Sequence, residues 1–106
     1  MRIQVLGDDT ISQQARTYAE YRVFAALTQL AGAEQVQDAH VVLRRATRSG
    51  DGEDVTCIVT VTVAGSNMRV RTTGDHPYAA INRAIERLRS GGAADGLEWS
   101  VVESGR

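Results

Sequence analysis

The chain has 106 residues, 42% of them hydrophobic and 24% charged, with a net charge of −1. That length holds one domain with its own core and excludes two. The composition excludes a disordered tail, and the balanced charge excludes attachment to nucleic acid by charge excess alone. Arg2 to Leu6 alternates, with Ile3 and Val5 opposed to Arg2 and Gln4, and reads as a short strand. Gly7-Asp8-Asp9-Thr10 turns the chain into a helix; Thr10 to Gln13 matches a capping box, and Ser12 is an equally good N-cap. Ala15, Ala19, Val23, Ala26, Leu27 and Leu30 form its apolar stripe, and Gly32 follows as a stop. Three strand-like runs come next: His40 to Arg44 or as far as Arg48, Val55 to Ala64, and Met68 to Thr73. The loop from Ser49 to Asp54 joins the first two, and Gly65-Ser66-Asn67 joins the last two. A second helix opens at Gly74-Asp75-His76-Pro77, with Asp75 or His76 as cap. Its buried stripe is Tyr78, Ile81, Ala84, Ile85 and Leu88, and Gly91-Gly92 ends it. Leu97, Trp99 and Val101 alternate in the tail, which reads as an optional fifth strand or an arm packed on the domain.

The order β-α-β-β-β-α predicts an α+β two-layer sandwich. One mixed four-stranded sheet carries both helices on one face, because a helical crossover makes the first two strands parallel and right-handed while hairpins make the rest antiparallel. Residues 1–92 form the domain and 93–106 the tail. No internal repeat is present.

The single Cys57 excludes an internal disulfide and a Cys-based zinc site and fits a reducing cytosol. The N-terminus shows no signal-peptide pattern, and no run reaches the roughly 20 apolar residues of a membrane span. The expectation is a cytoplasmic protein with no membrane partner.

Strand alternation puts Ile3, Val5, Val41, Leu43, Val59, Val61, Met68 and Val70 toward the helices. The opposite, open face receives Arg2, Gln4, His40, Val42, Arg44, Thr56, Ile58, Thr60, Thr62, Arg69, Arg71 and Thr73, with no acid among them. All 12 basic residues of the chain are Arg. Arg suits planar, bidentate contact with phosphate and bases, although a GC-rich coding bias yields the same set. The open face is therefore either a solvated surface, where Thr and Arg are ordinary, or a binding surface. The second helix adds Arg83, Arg87 and Arg89 against Glu86. The first offers Arg16 and Arg22 near Tyr18 and Tyr21, which either pack at the rim or stack on a base.

Ile11-Ser12-Gln13-Gln14-Ala15-Arg16-Thr17-Tyr18-Ala19-Glu20 resembles the first helix of the ribosome hibernation promoting factors. These are also called ribosome-associated inhibitors or sigma-54 modulation proteins. His76-Pro77-Tyr78-Ala79-Ala80-Ile81-Asn82, followed by Ile85 and Leu88, resembles the family's acid-x-Tyr-Ala-Ala-Ile-Asp motif at the start of its last helix. The opening Arg2-Ile3-Gln4-Val5 also fits, and the likeness spans roughly residues 2 to 90. It implies a non-enzymatic protein without cofactor or metal. Such a protein docks on the small ribosomal subunit, sets cations on rRNA, occupies the mRNA and tRNA channel and silences translation under stress. Residue by residue, it implies RNA contact by Arg22 late in the first helix and by Arg87 and Arg89 in the last. Arg44, Arg45, Arg69 and Arg71 fall on strands where members carry charge, and Arg83 joins the set as a further cation of the last helix. The sequence departs from the pattern where His76 and Asn82 replace acids, where Tyr21 stands at a second cation position, and where Ser90-Gly91-Gly92 cuts short the basic end of the last helix. The length leaves no room for the extra C-terminal domain by which long members pair ribosomes.

Two other readings compete. An enzyme would need a reactive group, yet His40 and His76 lie on different elements and no Gly-rich phosphate loop or metal spacing appears. Cys57 is assigned to the core, as a buried structural thiol. An interaction module would use Val42, Ile58 and Trp99 on the open face, as a monomer bound to a partner or a weak homodimer.

Overall fold

The computed structural model describes residues 1–29, 36–47, 53–63 and 66–94. Strand β1 spans Arg2–Gly7, helix α1 Gln13–Thr28, β2 Val36–Thr47, β3 Glu53–Val63, β4 Ser66–Gly74 and helix α2 Pro77–Ala94. One four-stranded sheet runs in the order β1-β2-β3-β4, with β1 parallel to β2 and the remaining pairs antiparallel. The crossover through α1 returns the chain to the end where β1 began, and the short links after β2 and β3 reverse it. Both helices cover the same face, so the expected α+β sandwich is the observed one.

The core follows the alternation. Val41, Leu43, Val59, Val61, Met68 and Val70 are buried, joined by Ala39, Val55 and Cys57. Ile3 and Val5 are only half-buried, because β1 is an edge strand and α1 covers it from one side alone. Ala15, Ala19, Val23, Ala26 and Leu27 close the core from α1, and Ala80, Ile81, Ala84, Ile85 and Leu88 from α2. The one buried polar side chain among the described residues is Thr72. Its hydroxyl donates to the Ala80 carbonyl at 2.7 Å and ties β4 to α2.

Two open alternatives at the helix starts are resolved, and several other local expectations change. Ser12 is the N-cap of α1, its Oγ accepting from the Ala15 N–H at 3.1 Å, while the Thr10 hydroxyl and N–H both donate to Asp8 Oδ1. His76 caps α2 through Nδ1, which accepts from the Ala79 N–H at 3.3 Å, and Pro77 takes the first helical position. The helix does not stop at Gly91-Gly92 but continues to Ala94. Glycine lowers helix stability without breaking the hydrogen-bond ladder. Tyr78, expected in the buried stripe, is 37% exposed at the rim, where its ring meets Tyr18 edge-on with centroids 5.0 Å apart. Strands β2 and β3 also begin earlier than expected, so Asp38 and Asp54 join the open face, which is not free of acids. Leu30, Gly32, Arg48 and the tail with Leu97, Trp99 and Val101 lie outside the described residues.

Candidate nucleic-acid interface

Strand pairing turns the open face into rows. Gln4, His40, Thr60 and Arg69 lie side by side across the sheet; Leu6, Val42, Ile58 and Arg71 form the next row; Arg44, Thr56 and Thr73 the next. Toward the other end, Arg2, Asp38, Thr62 and Asn67 share a row. Arg2 Nε lies 3.5 Å from Asp38 Oδ1, so the acid that the sequence reading missed balances one of the cations. Arg44, Arg69 and Arg71 stay exposed and face outward together with His40. The middle of the face is an apolar row, with Leu6 57% exposed and Val42 and Ile58 half-buried.

Arg71 also borders a second feature. Where β4 meets α2, Arg71, Thr72, Thr73, Arg83, Glu86, Arg87 and Ser90 line an open groove of about 650 Å³. Positions 83, 87 and 90 share one face of α2 through the helical repeat, and the sheet edge supplies Arg71 across from them. Arg83 is fixed in this wall, its Nη1 donating to the Thr73 carbonyl at 2.7 Å. Three arginines thus line one groove together with Glu86, and Arg83 also borders Asp54 and Asp75 in the neighbouring hollow. Three cations around a concave polar surface can hold phosphate oxygens by charge-assisted hydrogen bonds.

The remaining candidate arginines lie elsewhere. Arg45 points to the helix side of β2, opposite to Arg44, and its Nη2 approaches the Thr10 carbonyl at 3.4 Å beside Asp8. The Thr10 hydrogen bonds hold the Asp8 carboxyl below the usual carboxylate range, and Arg45 adds to this. Arg22 lies half-buried on α1 with its guanidinium carbon 5.9 Å from the Tyr18 ring centroid. The Tyr18 hydroxyl donates to Asn82 Oδ1 at 2.7 Å, so Tyr18 is engaged between the helices, whereas Tyr21 is 68% exposed. Arg89 is exposed on α2 and does not line the groove.

Sequence reasoning therefore named the groove cations and missed Ser90 as their neighbour, a relation visible in the helical spacing of positions 83, 87 and 90. It also missed a second surface: Met1, Ile3, Thr17, Glu20, Tyr21 and Phe24 line an apolar hollow of about 540 Å³ outside β1. The candidates for other chemistry sit apart. Cys57 is buried on β3, and burial pushes its thiol up to about 12. Among the described residues no three His, Cys, Asp or Glu side chains gather as metal ligands, and no helix is long and apolar enough to cross a membrane.

Residues 3–90 match the family model described as sigma 54 modulation protein / S30EA ribosomal protein. The solved N-terminal domain of Protein Y from Thermus thermophilus is 28% identical, with a TM-score of 0.65 over 85% of this chain and 93% of that one. A ribosomal subunit interface protein from Coxiella burnetii, 17% identical, shares the fold at a TM-score of 0.68 over 88% of this chain and 94% of that one. No curated protein sequence matches the chain.

Proposed function

Because the chain belongs to the sigma 54 modulation protein / S30EA ribosomal protein family, a family of ribosome-associated modulators, we propose that it docks on the small ribosomal subunit. There its arginines bind rRNA and its body blocks the channel for mRNA and tRNA, silencing translation under stress in the cytoplasm. The observation that carries this reading is the groove between β4 and α2, which Arg71, Arg83 and Arg87 line together. Phosphate contacts supply most of the affinity of such a surface, and each contact releases counterions. The balanced net charge of −1 is no obstacle where cations gather locally, as Arg71, Arg83 and Arg87 do around one groove. The work is docking and occlusion, and it requires no catalytic group.

Co-sedimentation with 30S particles across a salt series tests this. The protein pellets with 30S at low salt, and Arg87→Ala lowers the slope of log affinity against log salt by about one. A protein that stays in the supernatant at low salt sinks the reading. A second reading, a homodimer through the open face, is favoured by the exposed row of Leu6, Val42 and Ile58. An apolar dimer keeps its solution mass as salt rises, whereas an RNA complex dissociates.

A further inference from the structure

Ser90 is exposed on α2 and lines the groove with Arg71, Arg83 and Arg87. Arg87 precedes it by three residues, Arg83 by seven and Arg89 by one. Two of these arginines therefore share its helix face, and Arg71 lines the same groove from the sheet edge. We propose that Ser90 is a phosphorylation site whose phosphate is captured by the arginines of its own groove, which withdraws them from RNA. The withdrawal rests on the ribosomal reading above; the capture does not.

The reaction is phosphoryl transfer from a nucleoside triphosphate bound to a separate serine/threonine protein kinase. The Ser90 Oγ attacks the γ-phosphorus and a new O–P bond forms. The bond from that phosphorus to the β–γ bridging oxygen breaks, nucleoside diphosphate leaves, and the hydroxyl proton passes to the kinase's carboxylate base. Two features of the sequence suit Ser90 to this. Arg87 and Arg89 place positive charge just ahead of it, as kinases with acidic substrate clefts select. Gly91 and Gly92 follow directly, and glycine is the weakest helix former after proline, so the last turn opens at small cost to let Ser90 enter a cleft.

The product carries a charge of about −1.5 to −2 and three strong acceptor oxygens. Arg71, Arg83 and Arg87 then have an anion tethered within their own groove, at an effective concentration an external phosphate does not match. Charge-assisted bonds to it occupy the donors that would otherwise face RNA.

The test uses the intact protein, Mg–ATP and an arginine-directed kinase chosen because it phosphorylates a peptide of residues 83–94. Mass mapping is expected to find a phosphoryl group on Ser90, and Ser90→Ala takes none there. In a ³¹P NMR titration the second ionisation of the folded phosphoprotein moves to lower pH than in the urea-unfolded chain, and Arg71→Gln moves it part of the way back. Phosphorylation weakens 30S association about tenfold at low salt and lowers the salt slope by about two. The site is overturned if the peptide is modified and the folded protein is not. Capture is overturned if folded and unfolded chains titrate alike. The withdrawal from RNA is overturned if 30S binding is unchanged by the phosphate. Should the unmodified protein not bind 30S at all, the ribosomal reading fails while the titration still decides capture.

Discussion

A thiol on the core face of a central strand is shielded from both solvent and reagents, and Cys57 on β3 is 1% exposed. Burial disfavours the thiolate and moves its pKa from the ordinary 9.0 to about 12. The folded value lies above the unfolded one, so the stability tied to this group is complete below about pH 9 and is lost as pH climbs toward 12. Urea midpoints measured across that range should fall, and Cys57→Ala should remove the Cys57 share of the fall while lowering the baseline stability. A thiol reagent should label the native protein slowly at pH 8 and rapidly in urea. The face of Cys57 was legible in the sequence because Val55, Val59 and Val61 share its parity. Asp38 and Asp54 were not legible as open-face residues, since a polar residue at the start of a strand carries no hydrophobic period to mark it, and only pairing with the neighbouring strands reveals it.

Elements meet here through a few short-range devices. Gly74 ends β4 where α2 doubles back, and a Cβ built there would lie 2.7 Å from the Ala80 nitrogen and 2.8 Å from the Ala79 Cβ. Those neighbours are backbone and a first-turn methyl, which have no room to give. Gly74→Ala should therefore cost about 1–3 kcal/mol of stability by urea denaturation, as overpacking does. Between the helices the Tyr18 hydroxyl bonds Asn82, and Tyr18→Phe should cost about 1 kcal/mol because Asn82 Oδ1 loses its donor while the ring contact with Tyr78 persists. Element order and the two helix stripes were legible, because periods of 2 and 3.6 are written along the whole of each element. Helix ends were less so. Gly91-Gly92 reads as a stop, yet the backbone ladder runs on to Ala94. The exposure of Tyr78 is likewise set by its neighbour Tyr18 on the other helix, which no local period encodes.

Over the whole molecule the cations are divided between layers. Arg44, Arg69 and Arg71 look out from the sheet, Arg83 and Arg87 flank the groove at the β4 edge, and Arg22 and Arg45 lie on the helix side. The sequence proposed the RNA-contacting set and already put Arg44, Arg69 and Arg71 on the open face; the meeting of Arg71 with Arg83 and Arg87 at the β4 edge was not legible, because only the packing of α2 against the sheet decides it. Arg71 joins the first two groups at the β4 edge, whereas a flat ligand there would leave Arg22 and Arg45 untouched. A channel wall that encloses the domain would meet several, so the division bears on the docking proposed above. Arg44 and Arg87 report on different elements: Arg44 stands on β2 next to Thr56, Arg87 on α2 in the groove beside β4. Substitutions at well-separated positions contribute independently to binding free energy. If rRNA surrounds the domain, Arg44→Ala and Arg87→Ala each weaken 30S association, and the double variant loses the product of the two factors, with the salt slope reduced by about two in all. The expected outcome is that product. If Arg44→Ala leaves 30S affinity unchanged while Arg87→Ala lowers it, the groove alone faces RNA and docking is one-sided.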